Sequence, residues 1–263
     1  DERVRLNAGV RIESVQGEFE DVGVLPAAGA IVAPVEWLSF KAHVARTFRA
    51  PDFDELYLNI ESLRGNPDLD SERAVVWDAG VIVGSEDYNL ETAYFEGHVS
   101  SSIEFVPVSS FVIEATNLRG VTNRGVEALA NARPLKPLVF TAGYTFTHSR
   151  AEELPNVQTP NQPEHRGFAR AEWQILSGFK AVRLLSVNVQ TTGQTQTNLD
   201  RFGNLINPAY AMVDAGLAYK PVDWAKLSFN AYNLGDERSV VDGLQRPLPG
   251  RSFYGSLTLM TGQ

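Results

Sequence analysis

The residues best equipped for chemistry in this chain are amides, arginines and aromatics gathered in two late segments. Gln194, Gln196, Asn198, Arg201, Phe202 and Asn204 lie in the first, and Arg238, Gln245 and Arg246 in the second. Carboxamides carry both donors and acceptors, a guanidinium presents a fixed fork of donors, and a phenyl ring offers an apolar face. Together they suit capture of a polar small molecule. The four histidines are the other candidates. His148 and His165 flank one segment and would face each other across a hairpin. Two histidines with no cysteine or partner carboxylate make a poor metal set. No metal ligand and no cofactor is therefore expected, and His165 reads as a hydrogen-bonding residue at a strand rim. His43 and His98 fall on the polar sides of their strands. No serine, histidine and aspartate stand at nucleophile spacing, and no glycine-rich loop follows a strand and opens a helix. The chemistry is binding, and an enzyme is not expected.

These residues sit between segments that alternate. Val4, Leu6, Ala8, Val10 and Ile12 lie on one side of the first segment, with Arg5, Asn7, Gly9, Arg11 and Glu13 on the other. The same period of two runs through 38–45, 77–83, 138–147, 169–175, 185–190, 213–220 and 226–231, and is partial near 94–99 and 124–132. About twelve antiparallel strands follow, each paired to the next in sequence. Tight turns are expected at Pro34-Val35-Glu36-Trp37, Ser85-Glu86-Asp87, Pro134-Leu135-Lys136-Pro137, Leu176-Ser177-Gly178 and Pro221-Val222-Asp223-Trp224. The alternate connections are long: Gly17 to Pro26, Thr47 to Ser71, Glu104 to Gly120, Arg150 to Pro163, Thr192 to Pro208 and Leu234 to Gly250.

Short and long connections in turn are the mark of an outer-membrane β-barrel, whose strands need only ~9–11 residues to cross. The expected fold is thus all-β, an antiparallel up-and-down transmembrane barrel in contact with outer-membrane lipid. Charges recur on the polar face: Arg5, Arg11, Glu13, Lys41, Asp78, Glu127, Arg170, Glu172, Asp214 and Lys220. The inner side of a soluble sandwich would be apolar there. Trp37, Tyr88, Phe179 and Trp224 at the tight turns fit an interfacial girdle. No apolar run approaches the ~20 residues of a membrane-spanning helix. A net charge of −9 argues against nucleic acid, and zero cysteines fit an oxidising compartment.

Arg46-Thr47-Phe48-Arg49-Ala50-Pro51-Asp52-Phe53-Asp54-Glu55-Leu56-Tyr57, then Gly65-Asn66-Pro67-Asp68-Leu69 and Glu72, carry a family likeness. Further pieces follow at Asn117, Arg124-Gly125-Val126-Glu127, Pro163-Glu164-His165-Arg166, Asn233-Leu234-Gly235-Asp236 and Pro249-Gly250-Arg251. In these the chain resembles the carboxy-terminal half of a TonB-dependent outer-membrane receptor. That resemblance implies a barrel of roughly 22 strands around a plug, of which 1–263 would be the later part, with the amino-terminal plug and barrel half missing. It implies capture of a scarce small molecule such as a ferric siderophore, and import energised by the TonB complex through the missing plug. The alternatives are a self-contained twelve-stranded barrel (an autotransporter translocator or an outer-membrane enzyme) and a soluble β-sandwich binding module. Within the longest motif, Pro51, Asp52 and Asp54 read as a turn, with Phe48, Phe53 and Tyr57 packing the rim. The family's usual terminal aromatic is replaced here by Thr261, Gly262 and Gln263.

Overall fold

The computed structural model describes residues 3–17, 19–109, 111–179, 182–241 and 246–260, and for 176–179 and 182 the backbone alone. The chain opens with β1 (Val4–Val15), β2 (Asp21–Val35) and β3 (Leu38–Arg49), then a one-turn helix α1 (Phe53–Tyr57) and short strands β4 (Asn59–Ile60) and β5 (Leu63–Arg64). Next come β6 (Glu72–Gly84), β7 (Tyr88–Pro107), β8 (Ile113–Leu135), β9 (Leu138–Ala151) and β10 (Leu154–Gln158). The last elements are β11 (His165–Phe179), β12 (Val182–Gln194), β13 (Thr197–Asn198), β14 (Ile206–Asn207), β15 (Tyr210–Val222), β16 (Ala225–Tyr232) and β17 (Ser252–Leu259). Twelve strands pair in the order β1-β2-β3-β6-β7-β8-β9-β11-β12-β15-β16-β17. Each is next to its sequence neighbour once the small inserted strands are set aside, so the path is up-and-down, as the alternation implied.

The register keeps the two faces apart. Leu6 meets Ala30, Ala8 meets Ala28, Val10 meets Pro26 and Ile12 meets Val24. Farther along, Val187, Leu217, Phe229 and Gly255 form one row across four strands, and Asn188, Gly216, Asn230 and Tyr254 the next. A one-residue slip would mix these rows, so side-chain chemistry fixes the pairing. Among the described residues nothing covers the apolar face: Leu6 is 73% exposed, Ile12 69%, Leu217 42% and Phe229 49%. So continuous an exposed apolar face needs an apolar partner or solvent.

Two compact units divide the chain, Asp1–Ile82 with Ala93–Val126 and Thr147–Thr159, and Val83–Thr92 with Glu127–Phe146 and Pro160–Gln263. The first holds the helix α1 and a small core of Leu56, Leu69, Ile103 and Ala115, with Phe19 and Tyr57 against it. The second holds most of the tight turns. At one of them Gly84 has φ +132, and a Cβ there would fall 2.0 Å from the Tyr88 carbonyl oxygen, so only glycine fits. Trp224 in the second unit is 61% exposed and Tyr88 52%, and Trp37 in the first is 58% exposed, each at the end of a hairpin.

Four of the five expected tight turns hold, and four expectations change. Leu176-Ser177-Gly178 is not a turn: Leu176 pairs with Leu185, Ser177 with Leu184 and Phe179 with Val182. A register shift between Gln174 and Leu176 absorbs the irregularity, so the chain reverses only after Phe179. The side chain of Phe179 lies outside the described residues. The segment from Gly17 to Pro26 is mostly strand, since Asp21 already pairs with Val15. Glu104 to Gly120 is likewise strand apart from 108–112. Along this hairpin Ile103, Val106, Ala115 and Leu118 are buried, and Ile103 and Ala115 pack into the small core beside α1, so the segment is held by that local core as well as by backbone pairing. His98 also changes side. Tyr94 packs at a tilt against Trp77 of the apolar face, with centroids 5.3 Å apart, and His98 lies four residues farther along the same side of β7. Its Nδ1 is 3.1 Å from Thr122 Oγ1. His43 keeps the polar side, 3.7 Å from Asp78.

Candidate ligand-capture loops

The proline-rich segment after β3 is built for order. Asp52 caps α1, its carboxylate accepting from Glu55 N–H at 2.8 Å while Glu55 accepts from Asp52 N–H at 2.9 Å. This reciprocal pair satisfies donors that a helix start would leave bare. The Arg49 guanidinium then bridges two carboxylates, Glu72 through Nε at 2.8 Å and Glu55 through Nη1 at 2.8 Å. Glu72 in turn accepts from Ile103 N–H at 2.7 Å. Gly65 passes so close to α1 that a Cβ would sit 2.6 Å from Tyr57 N. Asn117 stitches the return, donating to the Asp70 and Ser101 carbonyls at 2.9 and 2.8 Å. The motif residues are therefore a buttress in which Leu56 is 5% exposed, as the turn reading anticipated. Phe53 departs from it: it is 74% exposed and touches only the edge of this cluster through Tyr57, 5.2 Å away.

In the second unit, the β12–β15 connection folds into the β13–β14 hairpin. Asp200 closes its tip, accepting from Phe202 N–H at 3.2 Å and Asn204 N–H at 2.9 Å, and Gly203 takes φ +73. Arg201 lies over the Phe202 ring at 5.6 Å, with its Nε buried and unbonded. Phe202 itself is 53% exposed. Gln194 ends β12 between Arg166 and Tyr210, Gln196 is exposed, and the Asn198 carbonyl accepts from Asn161 N–H at 2.8 Å.

The β16–β17 connection is organised by Asn233, at φ +50 and 4% exposed. Its N–H donates to Asp214 at 2.8 Å, its Nδ2 donates to the Glu237 and Pro249 carbonyls at 2.8 and 3.1 Å, and its Oδ1 accepts from Glu237 N–H at 2.8 Å. Asp236 accepts from Arg251 N–H at 2.9 Å and from Arg238 Nε at 3.0 Å. Those bonds, the backbone one foremost, hold its carboxyl below the usual aspartate range. Bonds from Ser239 hold the Glu237 carboxyl down in the same way. Arg238 and Arg246 are exposed, while Gln245 lies outside the described residues.

His165 hydrogen-bonds through Nδ1 to Tyr144 Oη at 2.7 Å and lies 5.2 Å from the Phe146 ring. It is the rim residue the sequence suggested. Among the described residues no group of three or more His, Asp or Glu is arranged to hold a metal ion. The described members of the expected set lie on the β12–β15 and β16–β17 connections, with Gln194 at the end of β12, but Asn207, whose side chain joins those connections, was not among them. Its carboxamide meets Val241 N and O at 3.1 and 2.8 Å. The one available signal was the Asn207-Pro208 pair, an ordinary turn mark.

Strands paired in sequence order, one bare apolar face, one charged face and built-up loops define an antiparallel up-and-down transmembrane β-barrel. The chain belongs to the TonB-dependent receptors: it matches the family described as "TonB dependent receptor-like, beta-barrel" over residues 1–234. No curated protein matches the sequence. Among solved structures, the siderophore receptor PirA of Pseudomonas aeruginosa is similar at 20% identity and a TM-score of 0.71, covering 97% of this chain and 43% of that one. The ferric enterobactin receptor PfeA of Pseudomonas aeruginosa (Q482A, in complex with enterobactin) is similar at 19% identity and TM-score 0.75, covering 98% and 43%. The copper transporter OprC is similar at 16% identity and TM-score 0.77, covering 98% and 45%. At such identities the likeness is one of fold, and the chain spans less than half the length of these structures. The family assignment sets aside the autotransporter, outer-membrane enzyme and soluble sandwich alternatives.

Proposed function

We propose that this chain is the carboxy-terminal part of an outer-membrane receptor that captures a scarce small molecule in its extracellular loops and imports it with energy from the TonB complex. In this reading the apolar face meets lipid and the charged face lines the lumen. The observation that carries it is the register, which holds an apolar row and a polar row apart over four successive strands in a chain of this family. On β7 the apolar side runs from Tyr88 and turns polar at Glu96, close to the ~9–11 residues of a crossing strand. The remaining strands of a barrel of roughly 22, and the plug, would come from the rest of the protein.

The ligand class we favour is a ferric siderophore. Gln194, Gln196, Asn198, Arg201, Phe202, Arg238, Gln245 and Arg246 supply amides, guanidinium groups and one ring, which together suit a polar chelate with flat apolar parts. The PirA and PfeA likeness is compatible with this, and the OprC likeness makes a copper ligand the rival. The test is titration of the purified full-length receptor with a panel of ferric siderophores and with copper ions, alongside growth of the source strain and a deletion strain under iron limitation. Saturable binding of one ferric chelate and a growth defect are expected. Binding of copper alone would reject the iron reading, and binding of neither would reject both.

A further inference from the structure

We infer that Asn207 locks the β12–β15 and β16–β17 connections into one body, so that their exposed groups are presented as a single surface. The inference rests on reading these two connections as capture loops.

Asn207 is 6% exposed, and both polar atoms of its carboxamide are used on one residue of the other loop. Nδ2 donates to the Val241 carbonyl at 2.8 Å and Oδ1 accepts from Val241 N–H at 3.1 Å. A side chain is here doing what a neighbouring strand's backbone does, closing a two-bond ring with Val241. Each side of the joint is itself firm. Asn207 pairs through its backbone with Thr197, which is 4% exposed. Val241 bridges Pro247, Leu248 N–H donates to the Val240 carbonyl at 3.1 Å, and Val240 is 2% exposed. Asn233 ties the base of the same loop to β15 through Asp214. The Arg201–Phe202 tip and Arg238 are therefore carried on loops that share one buried joint. A polar group sealed at such a joint is costly to leave unbonded, so the joint holds as a unit or opens as a unit. Two loops held in place in advance need less ordering when a ligand arrives.

The chemistry separates the lock from general packing. Asn207→Asp is almost isosteric and keeps an acceptor for Val241 N–H, but sets a carboxylate against the Val241 carbonyl. Asn207→Leu removes both bonds. Leu205→Ala alters an exposed neighbour outside the capture residues and serves as control. Spin labels at Asn204→Cys and Ser239→Cys in the full-length receptor report the distance between the two loops without any ligand; the control is measured in receptor labelled at Gln196→Cys and Ser239→Cys. Binding is measured in parallel with ferric enterobactin as the probe, and folding by heat-modifiability on gels. A narrow distance distribution in the parent is expected to broaden in both Asn207 variants and not in Leu205→Ala. Affinity for the probe is expected to fall about tenfold, the scale of ordering one or two extra side chains. An unchanged distribution in a folded Asn207→Asp receptor overturns the lock. Broadened distances with unchanged affinity overturn its role in capture. If the parent receptor does not bind ferric enterobactin, affinity is read with the chelate that the siderophore panel identifies, and binding of none of the panel rejects the capture reading, while the distances still decide whether the lock exists.

Discussion

Arg49 shows what a motif rich in charge and aromatics does for the fold here. One guanidinium answers two carboxylates whose side chains are only 12% (Glu55) and 18% (Glu72) exposed. Arg49→Ala is expected to destabilise the folded receptor by about 1–3 kcal/mol, because the carboxylates lose their partner, with the lower end favoured since Arg49 is itself part-exposed. Arg49→Lys should recover part of this, as a point charge cannot fork to both. Denaturant unfolding in detergent would measure it, and equal stability of all three proteins would remove the buttress from the account. Asp236 gives a pH prediction at the same scale. Its carboxyl is lowered from 3.8 by the Arg251 N–H first and Arg238 next. A depressed carboxyl contributes stability above its unfolded value and loses it as pH falls through the folded value. The β16–β17 loop should therefore be constant at neutral and mildly acid pH and loosen below about pH 4. Amide exchange at Arg251, corrected for its intrinsic pH dependence, would show the rise, and Asp236→Asn would reduce it to what the Glu237 carboxyl, held down by Ser239, contributes.

Strands are the scale at which the sequence was most legible. Alternation and tight turns placed the frame, and the parity holds in register: Leu217 stands with Phe229, Gly216 with Asn230. Arginine at Leu217 or Phe229 should then cost roughly 2–4 kcal/mol if near the bilayer midplane. Arginine at Ser228, on the other face, should be milder. Gly216 is a special case, since a Cβ there would meet the Asn188 amide at 2.6 Å. Heat-modifiability of the four variants would decide, and equal losses on both faces would contradict the parity. What the sequence hid follows from the same physics. Strand bonds are made by backbone, and on the β7–β8 hairpin Ile103 and Ala115 pack into a local core with Leu56 and Leu69 from the segment around α1, a partner that strand alternation does not reveal, so Glu104 to Gly120 read as loop. The bulge at Gln174 and Leu176 moved a turn by shifting the register, which no local composition reveals. Of the candidate site, the exposed groups were readable as types, but the buried carboxamides that hold them, Asn207 and Asn233, look like ordinary turn residues until their partners are known.

At the scale of the whole receptor, frame and loops should separate in function. The strands β16 and β17 pair from Ala225 with Leu259 up to Tyr232 with Ser252, all outside the intervening loop. Replacing 236–248 by a short glycine-serine linker removes Val241 and the Arg238 and Arg246 guanidiniums without removing a single strand pair. The barrel should assemble as before, because loops carry recognition on a scaffold that does not depend on them. Ligand capture should weaken, and the loss should appear in binding titrations on purified full-length receptor. Charged residues of the polar face should behave differently. Arg170 is 3.0 Å from Glu172 on its own strand, away from the two loops in its pairing with Gln190. Arg170→Ala should leave first capture intact and reduce uptake by cells, if that face meets the plug during transport. The two variants together form the test: loss of binding on loop replacement with loss of uptake alone at Arg170 supports the division. Unchanged affinity after replacing both 236–248 and 196–206 would move capture to the remainder of the receptor.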